Sequence, residues 1–522
     1  MELLPLKATF SPEEPIEIEV RGAHAPTAIS LWHLDRQLDV KTTQRDEGLV
    51  RFPPQPIGGY GVEADDAQTA LDVLADPLDR PRYGFVSHYE AGRETDGVAD
   101  NIRRLHLNAT QFYDWMFRHA QLLPPDEEFT DALGRQISLN TVRRLAKAVD
   151  DVGSLPIGYA AVYTVGREHW DEWRRDGLYR SDGSPWTLGD DFLWNVDPTS
   201  HRWLDHFIRE LQAARNIGFA GFHLDQYGSP KRALRRDGSK VDLAAAFPAL
   251  IDTVAARVPG TRLIFNNVND FPTWTTAGAK QDAVYIEVWP PHDRLTHLAE
   301  LVTKAKSLAP DKPVILAAYL SAYARDGRGA AAAEQLQLAT VFSHGGTVLL
   351  HGEEEAALTE AYYVSHKRLD AESQASARRY FDFAVRYGDL LFDRGAVDVT
   401  RTHAGGDNQE VKLSGPVPVG TDCEPGTLWM RVIQTDRGLL ISLIDLTSQE
   451  DERWDAPKTP SQPLSGLQLS VERATSGTPS FLFGAPDDAP RFQRLDAELD
   501  GSHDRVVVPP FRTWAIIWVR DG

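Results

Sequence analysis

The chain has one cysteine, Cys423, among 522 residues. It cannot close an internal disulfide, and no cysteine-based zinc site can form. A basic start followed by a long apolar run is also missing, because Met1-Glu2-Leu3-Leu4-Pro5-Leu6-Lys7 does not read as a secretory leader. No stretch approaches the roughly 20 apolar residues that a membrane-spanning helix needs. The protein as written is expected in the cytoplasm, or outside the cell if a leader has been removed. Positive charge is scarce: 55 Lys and Arg stand against 76 Asp and Glu, a net charge of −21. Such a surface repels phosphate backbones and anionic lipid heads, which excludes nucleic-acid and membrane partners and leaves a neutral ligand unaffected.

What is present is ordinary globular composition, 42% hydrophobic and 25% charged, on a chain too long for one core. Residues 1–80 alternate apolar and polar positions, as in Ile16-Glu17-Ile18-Glu19-Val20 and Ala28-Ile29-Ser30-Leu31-Trp32. This pattern predicts a small immunoglobulin-like β-sandwich, with Phe52-Pro53-Pro54 and Ile57-Gly58-Gly59-Tyr60-Gly61 as its edge and turn. Residues 81–394 alternate apolar runs with helix-like segments. Eight strands are expected there: Tyr83–His88, Ala109–Trp115, Pro156–Tyr163, Gly221–Gln226, Leu263–Asn269, Ala283–Trp289, Pro313–Tyr319 and Thr347–Gly352. Eight such units predict a (β/α)8 TIM barrel, whose chemistry sits at the C-terminal ends of its strands. Residues 395–522 return to strands and turns and predict a second β-sandwich, closed by Phe511–Val519.

The stretch that organises the chemistry is Gly221-Phe222-His223-Leu224-Asp225-Gln226-Tyr227-Gly228, an apolar strand ending in polar residues before a glycine turn. Alternation puts His223 and Asp225 on one face. A second strand, Val284-Tyr285-Ile286-Glu287-Val288-Trp289, again frames one acid with large apolar residues. Parallel strands end on one side of a barrel, so the two acids converge at its mouth. Two carboxyls without a metal suit glycoside hydrolysis, with Asp225 as nucleophile and Glu287, raised in pKa by apolar neighbours, as general acid/base. The competing reading of any one strand-end acid is a helix cap or a partner of arginine.

Around the pair, the strand ends offer His88, Gln111, Tyr113, Asp114, Trp115, Tyr163, His223, Gln226, Asn267, Trp289, Tyr319 and His351 as substrate contacts. The aromatics among them suit stacking on the apolar face of a sugar, against the alternative of plain core packing. Asp114 reads equally as a hydroxyl ligand or a structural acid. His223 has no second histidine at ligand spacing, so no metal and no other cofactor is expected. The charged run Arg232–Asp237 reads as a solvated connection.

These residues resemble glycoside hydrolase family 66, the endo-dextranases and cycloisomaltooligosaccharide glucanotransferases. His106–His119, with its Phe112-Tyr113-Asp114-Trp115 core, resembles the family's second-strand signature, and Gly221–Gly228 its nucleophile strand. Tyr285–Trp289 is similar to the acid/base strand; His344-Gly345-Gly346-Thr347 with His351-Gly352-Glu353, and Tyr380-Phe381-Asp382-Phe383, are similar to the eighth-strand region and its helix. The resemblance implies a barrel between two β-sandwiches and a retaining hydrolase of α-1,6-linked glucan, dextran or isomaltooligosaccharide, working through a glucosyl intermediate on Asp225. It leaves open a transglucosylase, or a noncatalytic carbohydrate-binding protein on the same fold. Only Ser321–Ala333 separate the seventh strand from the next helix, too few for the insertion of cyclising members, which favours linear products. Asn267-Val268-Asn269-Asp270 departs from the glycine-containing turn expected after the fifth strand. The oligomeric state is not readable from the sequence.

Overall fold

The eight apolar runs become eight parallel strands in the computed structural model, which describes residues 1–520 except 24, 25, 44–47, 66, 326, 361–364 and 474–476. They are β1 (Tyr83–Val86), β2 (Ala109–Phe112), β3 (Leu155–Ala161), β4 (Gly221–Asp225), β5 (Arg262–Val268), β6 (Ala283–Glu287), β7 (Val314–Ala317) and β8 (Thr347–Gly352). Each pairs with its sequence neighbour, and β8 pairs with both β7 and β1, so the barrel is closed. The connecting helices are α1 (Asp96–Leu105), α2 (Leu139–Asp151), α3 (His201–Ala214), α4 (Leu243–Arg257), the single turn α5 (Thr273–Thr276), α6 (Leu295–Leu308), α7 (Gly327–Ser343) and α8 (Ala371–Arg386). Several start where the sequence supplies a cap: Ser138, Ser200, Asp242 and Asp370 each accept a backbone N–H of the first turn.

Alternation along each strand sorts side chains into two cores. Tyr83, Ile157, Ile264, Tyr285, Ile315 and Leu349 fill the barrel interior. Phe222, Leu224, Phe265, Val284, Ile286 and Leu316 point outward and pack with the helices. This parity decides later which polar side chains reach the mouth.

Before β1, two sheets of three and five strands stack; after α8 come a seven-stranded and a four-stranded sheet. The N-terminal sheets dock on the barrel through α8, and the C-terminal sheets through both α7 and α8. Asp382 of α8 accepts from His106 Nε2 at 2.7 Å and from the Ala70 backbone N–H at 3.0 Å, joining helix, barrel and N-terminal sheet. On the other flank, Trp514 packs against Phe383 with ring centroids 5.1 Å apart.

Two connections differ from expectation. Gly58-Gly59-Tyr60-Gly61 is not a turn but part of a buried strand, Gly58–Glu63. Its glycines let the strand backbone lie directly on α8: a Cβ at Gly59 would stand 2.1 Å from the Val385 carbonyl oxygen. The run from Arg232 opens a short hairpin, Arg232–Leu234 with Lys240–Asp242, whose following Arg235 is tied to Asp197 at 2.6 Å. Among the described residues no helix is long and apolar enough to cross a membrane.

The close approach at Gly59 gives a test of the docking. Gly59→Ala is expected to destabilise by about 1–3 kcal/mol through overpacking, whereas Gly48→Ala, with none of the described residues within 4 Å of the added Cβ, is expected to be near neutral. Equilibrium denaturation of the two variants checks this.

Candidate active site

A cleft of about 440 Å³ opens at the C-terminal mouth of the barrel. Inward parity brings Tyr159 from β3, His223 and Asp225 from β4, Asn266 from β5, and Tyr285 and Glu287 from β6 to its floor. At the centre a single amide holds two carboxyls. The Asn266 Nδ2 donates to Asp225 Oδ1 at 2.7 Å and to Glu287 Oε2 at 2.9 Å. Only the NH₂ side of an amide can face two carboxylates, so the orientation of Asn266 is fixed by its partners.

The second oxygen of Asp225 accepts from the Tyr159 hydroxyl at 2.7 Å, and Tyr159 in turn meets the Tyr227 hydroxyl at 2.9 Å. Glu287 Oε1 accepts from Tyr319 at 3.3 Å, and the Trp289 indole also favours its charged form. Burial raises the pKa of Asp225, and the neighbouring charge of Glu287 raises it further. Burial raises Glu287 as well. Two carboxyls this close do not both ionise cheaply, so near neutral pH the pair tends to hold one proton between them.

His223 forms the floor under Asp225. Burial pushes its pKa down to about 3, so the ring is neutral. It lies edge-on to Tyr285, with centroids 4.7 Å apart, and its Nδ1 meets the Tyr83 hydroxyl at 3.3 Å. No group of three or more potential metal ligands exists among the described residues.

Gln111, Tyr113, Asp114, Trp289 and Tyr319 also line the cleft. Asp114 has φ of 44°, which breaks the strand's alternation, turns its carboxyl toward the mouth and sends Trp115 behind. Burial raises the Asp114 carboxyl to about 6, and Arg135 at 3.6 Å partly offsets this. Gln226 borders the cleft with its side chain turned away, donating to the Asn266 and Phe271 carbonyls and accepting from the Gly228 N–H at 2.7 Å.

Five residues expected as contacts stand elsewhere. Trp115 is fully buried and donates to the Tyr159 carbonyl at 3.1 Å. Tyr163 is buried behind the rim, its hydroxyl on the Ser229 carbonyl at 2.6 Å. Asn267 has the outward parity of β5 and is bonded to the Tyr285 carbonyl and the Thr276 hydroxyl. A register shift between Leu349 and Gly352 turns His351 out of the barrel to Glu334 of α7, at 2.7 Å. His88 is exposed and packs on His366 outside the cleft.

Asn266, Tyr159, Tyr227 and Tyr285 escaped the sequence reading. Register held the signal for three of them: Tyr159 is paired with His223, and Asn266 with Tyr285. Phe192, His119 and Lys231 arrive on loops, where no periodicity announces them.

The chain matches the model of Glycosyl hydrolase family 66 over residues 7–518. It is 26% identical over 397 residues to a cycloisomaltooligosaccharide glucanotransferase of Niallia circulans, covering 65% of this chain and 40% of that protein. The chain thus spans less than half the length of this curated relative. A crystal structure of a cycloisomaltooligosaccharide glucanotransferase from Paenibacillus sp., complexed with cycloisomaltoheptaose, superposes with a TM-score of 0.89 at 19% identity over 99% of both chains. An α-amylase from Geobacillus thermoleovorans shares the fold more distantly, with a TM-score of 0.54 at 11% identity over 85% of this chain and 99% of that one.

A carboxyl whose folded pKa is raised binds its proton more tightly folded than unfolded. Its contribution to stability is fully present below the unfolded value, about 4, and is lost as pH rises through the raised folded value. Glu287→Gln removes that loss. It is expected to melt roughly 1–3 °C above the wild type at pH 8, with the difference shrinking toward pH 4; melting curves at both pH values check the sign.

Proposed function

The chain belongs to glycosyl hydrolase family 66, and we propose that it breaks α-1,6-linked glucan, dextran or isomaltooligosaccharide, with retention of anomeric configuration. One observation carries the reading. Because a single nitrogen of Asn266 reaches both carboxyls, at 2.7 and 2.9 Å, the two oxygens it touches are no farther apart than those bonds laid end to end. So close an approach of the nearest oxygens supports the roughly 5–5.5 Å carboxyl separation of retaining glycosidases over the roughly 6.5–9.5 Å that makes room for water in inverting ones.

In this proposal Asp225 is the nucleophile. Both of its donors stand at 2.7 Å and hold it as carboxylate, whereas the bonds to Glu287 from Asn266 and Tyr319 are longer, 2.9 and 3.3 Å. On these bond lengths the proton of the pair is placed on Glu287, against the upward push that burial and the charge of Glu287 give Asp225. Asp225 Oδ attacks the anomeric carbon while Glu287 gives its proton to the departing glycosidic oxygen; the C1–O bond breaks and a glucosyl ester forms. Glu287, now a carboxylate, takes a proton from the incoming hydroxyl, which displaces Asp225 and restores the starting state.

The incoming hydroxyl decides the product. Water gives hydrolysis; a sugar hydroxyl gives transfer, the activity named for the relatives in Niallia circulans and Paenibacillus. Product sizing at low and high dextran separates the two. Asp225→Ala is expected to lose on the order of 10⁴-fold or more in kcat, and NMR of the first product is expected to show the α-anomer. A β-anomer, or unchanged activity in Asp225→Ala, removes the mechanism.

A further inference from the structure

Five histidines among the described residues are buried: His106, His119, His223, His344 and His351. Four of them have a hydrogen-bond partner in the protein, namely Asp382, Tyr83, the Thr340 carbonyl and Glu334 for His106, His223, His344 and His351 in turn. His119 has none. The residue is 6% exposed, its Nδ1 is buried with no partner among the described residues, and it lines the cleft. Leaving a buried imidazole nitrogen unpaired costs about 1–3 kcal/mol, so a histidine there is a poor choice for packing alone.

The backbone presents this ring deliberately. Arg118 and Gln121 exchange N–H to carbonyl bonds of 2.9 and 3.3 Å, which puts His119 and Ala120 at the corner of a tight turn. Phe192, from the loop across the cleft, meets the imidazole edge to face at 5.8 Å and 89°. Burial, with the charge of Arg118 beside it, brings the imidazole down to about 4. A neutral ring has one donor nitrogen and one acceptor nitrogen, which matches hydroxyls that both give and take a proton. Two more buried polar atoms at the cleft, Gln111 Oε1 and Asn266 Oδ1, also lack a partner among the described residues.

Resting on the reading of the cleft as a glucan site, we propose that His119 is a substrate-binding residue that holds glucosyl hydroxyls through its ring nitrogens. It has no part in the proton transfers. Its contribution is uniform binding, felt in KM rather than in kcat.

Three proteins test it: the wild type, His119→Phe, which keeps the flat ring and its contact with Phe192 but has no polar atom, and His119→Gln, which keeps a donor and an acceptor. His119→Phe is expected to raise KM for isomaltooligosaccharides roughly tenfold, to leave kcat within about twofold and to melt no lower than the wild type. His119→Gln is expected to recover most of the KM. A wild-type KM in His119→Phe overturns the assignment, and so does a loss of binding that His119→Gln fails to recover. Wild-type turnover across α-1,6, α-1,3 and α-1,4 glucans judges the functional reading separately, and the variant-to-wild-type ratios are taken on whichever glucan the wild type turns over.

Discussion

One amide group, that of Asn266, touches both carboxyls of the cleft, and the arrangement around it follows from that contact. Two buried acids repel, and each is raised by its burial. A donor set between them is the least expensive way to keep them close without neutralising both. Asn266 holds that place because its strand, β5, lies between β4 and β6 and supplies an inward position at the height of both acids. The separation of the carboxyls is thus a property of sheet register, with side-chain reach making the final adjustment.

The surroundings serve the same end. Tyr159, Tyr227 and Tyr319 place hydroxyls around the acids, and neutral His223 closes the floor without adding a charge that would drag the acids toward full ionisation. The cations near the cleft are engaged elsewhere: Arg135 pairs with Asp114 and Asp131 on the β2 side, and Lys231, on the cleft lining, lies over the Phe271 ring at 3.6 Å. A cleft lined by neutral polar groups and the acids Asp114, Asp131, Asp225 and Glu287, in a chain of net charge −21, suits a neutral polyhydroxylated ligand better than an anionic one.

Packing outside the barrel keeps this register rigid. Helix α8 is gripped from one side by the glycine-rich strand around Gly59 and from the other by Trp514, and Asp382 ties it to His106 just before β2. The flanking sheets therefore brace the wall that carries β1, β2 and β8, and a change at their contacts is felt through the barrel.

The sequence by itself determined the eight strands, the sheets on either side and the convergence of Asp225 and Glu287, because hydrophobic period, strand direction and glycine turns are local properties. It also determined the electrostatic character of the molecule, which is a matter of counting. The tertiary structure alone decided which neighbours reach the acids. Asn266 and Asn267 are adjacent and chemically identical, yet register turns the first toward the carboxyls and the second toward Thr276. The left-handed turn at Asp114 and the bulge before Gly352 reverse the parity that would have brought Trp115 and His351 inward. Loops delivered Phe192 and His119 from positions with no periodic signature. The division has one physical cause: alternation along a strand is written in the chain, but the face that becomes the inside is set only when the strands pair and the barrel closes.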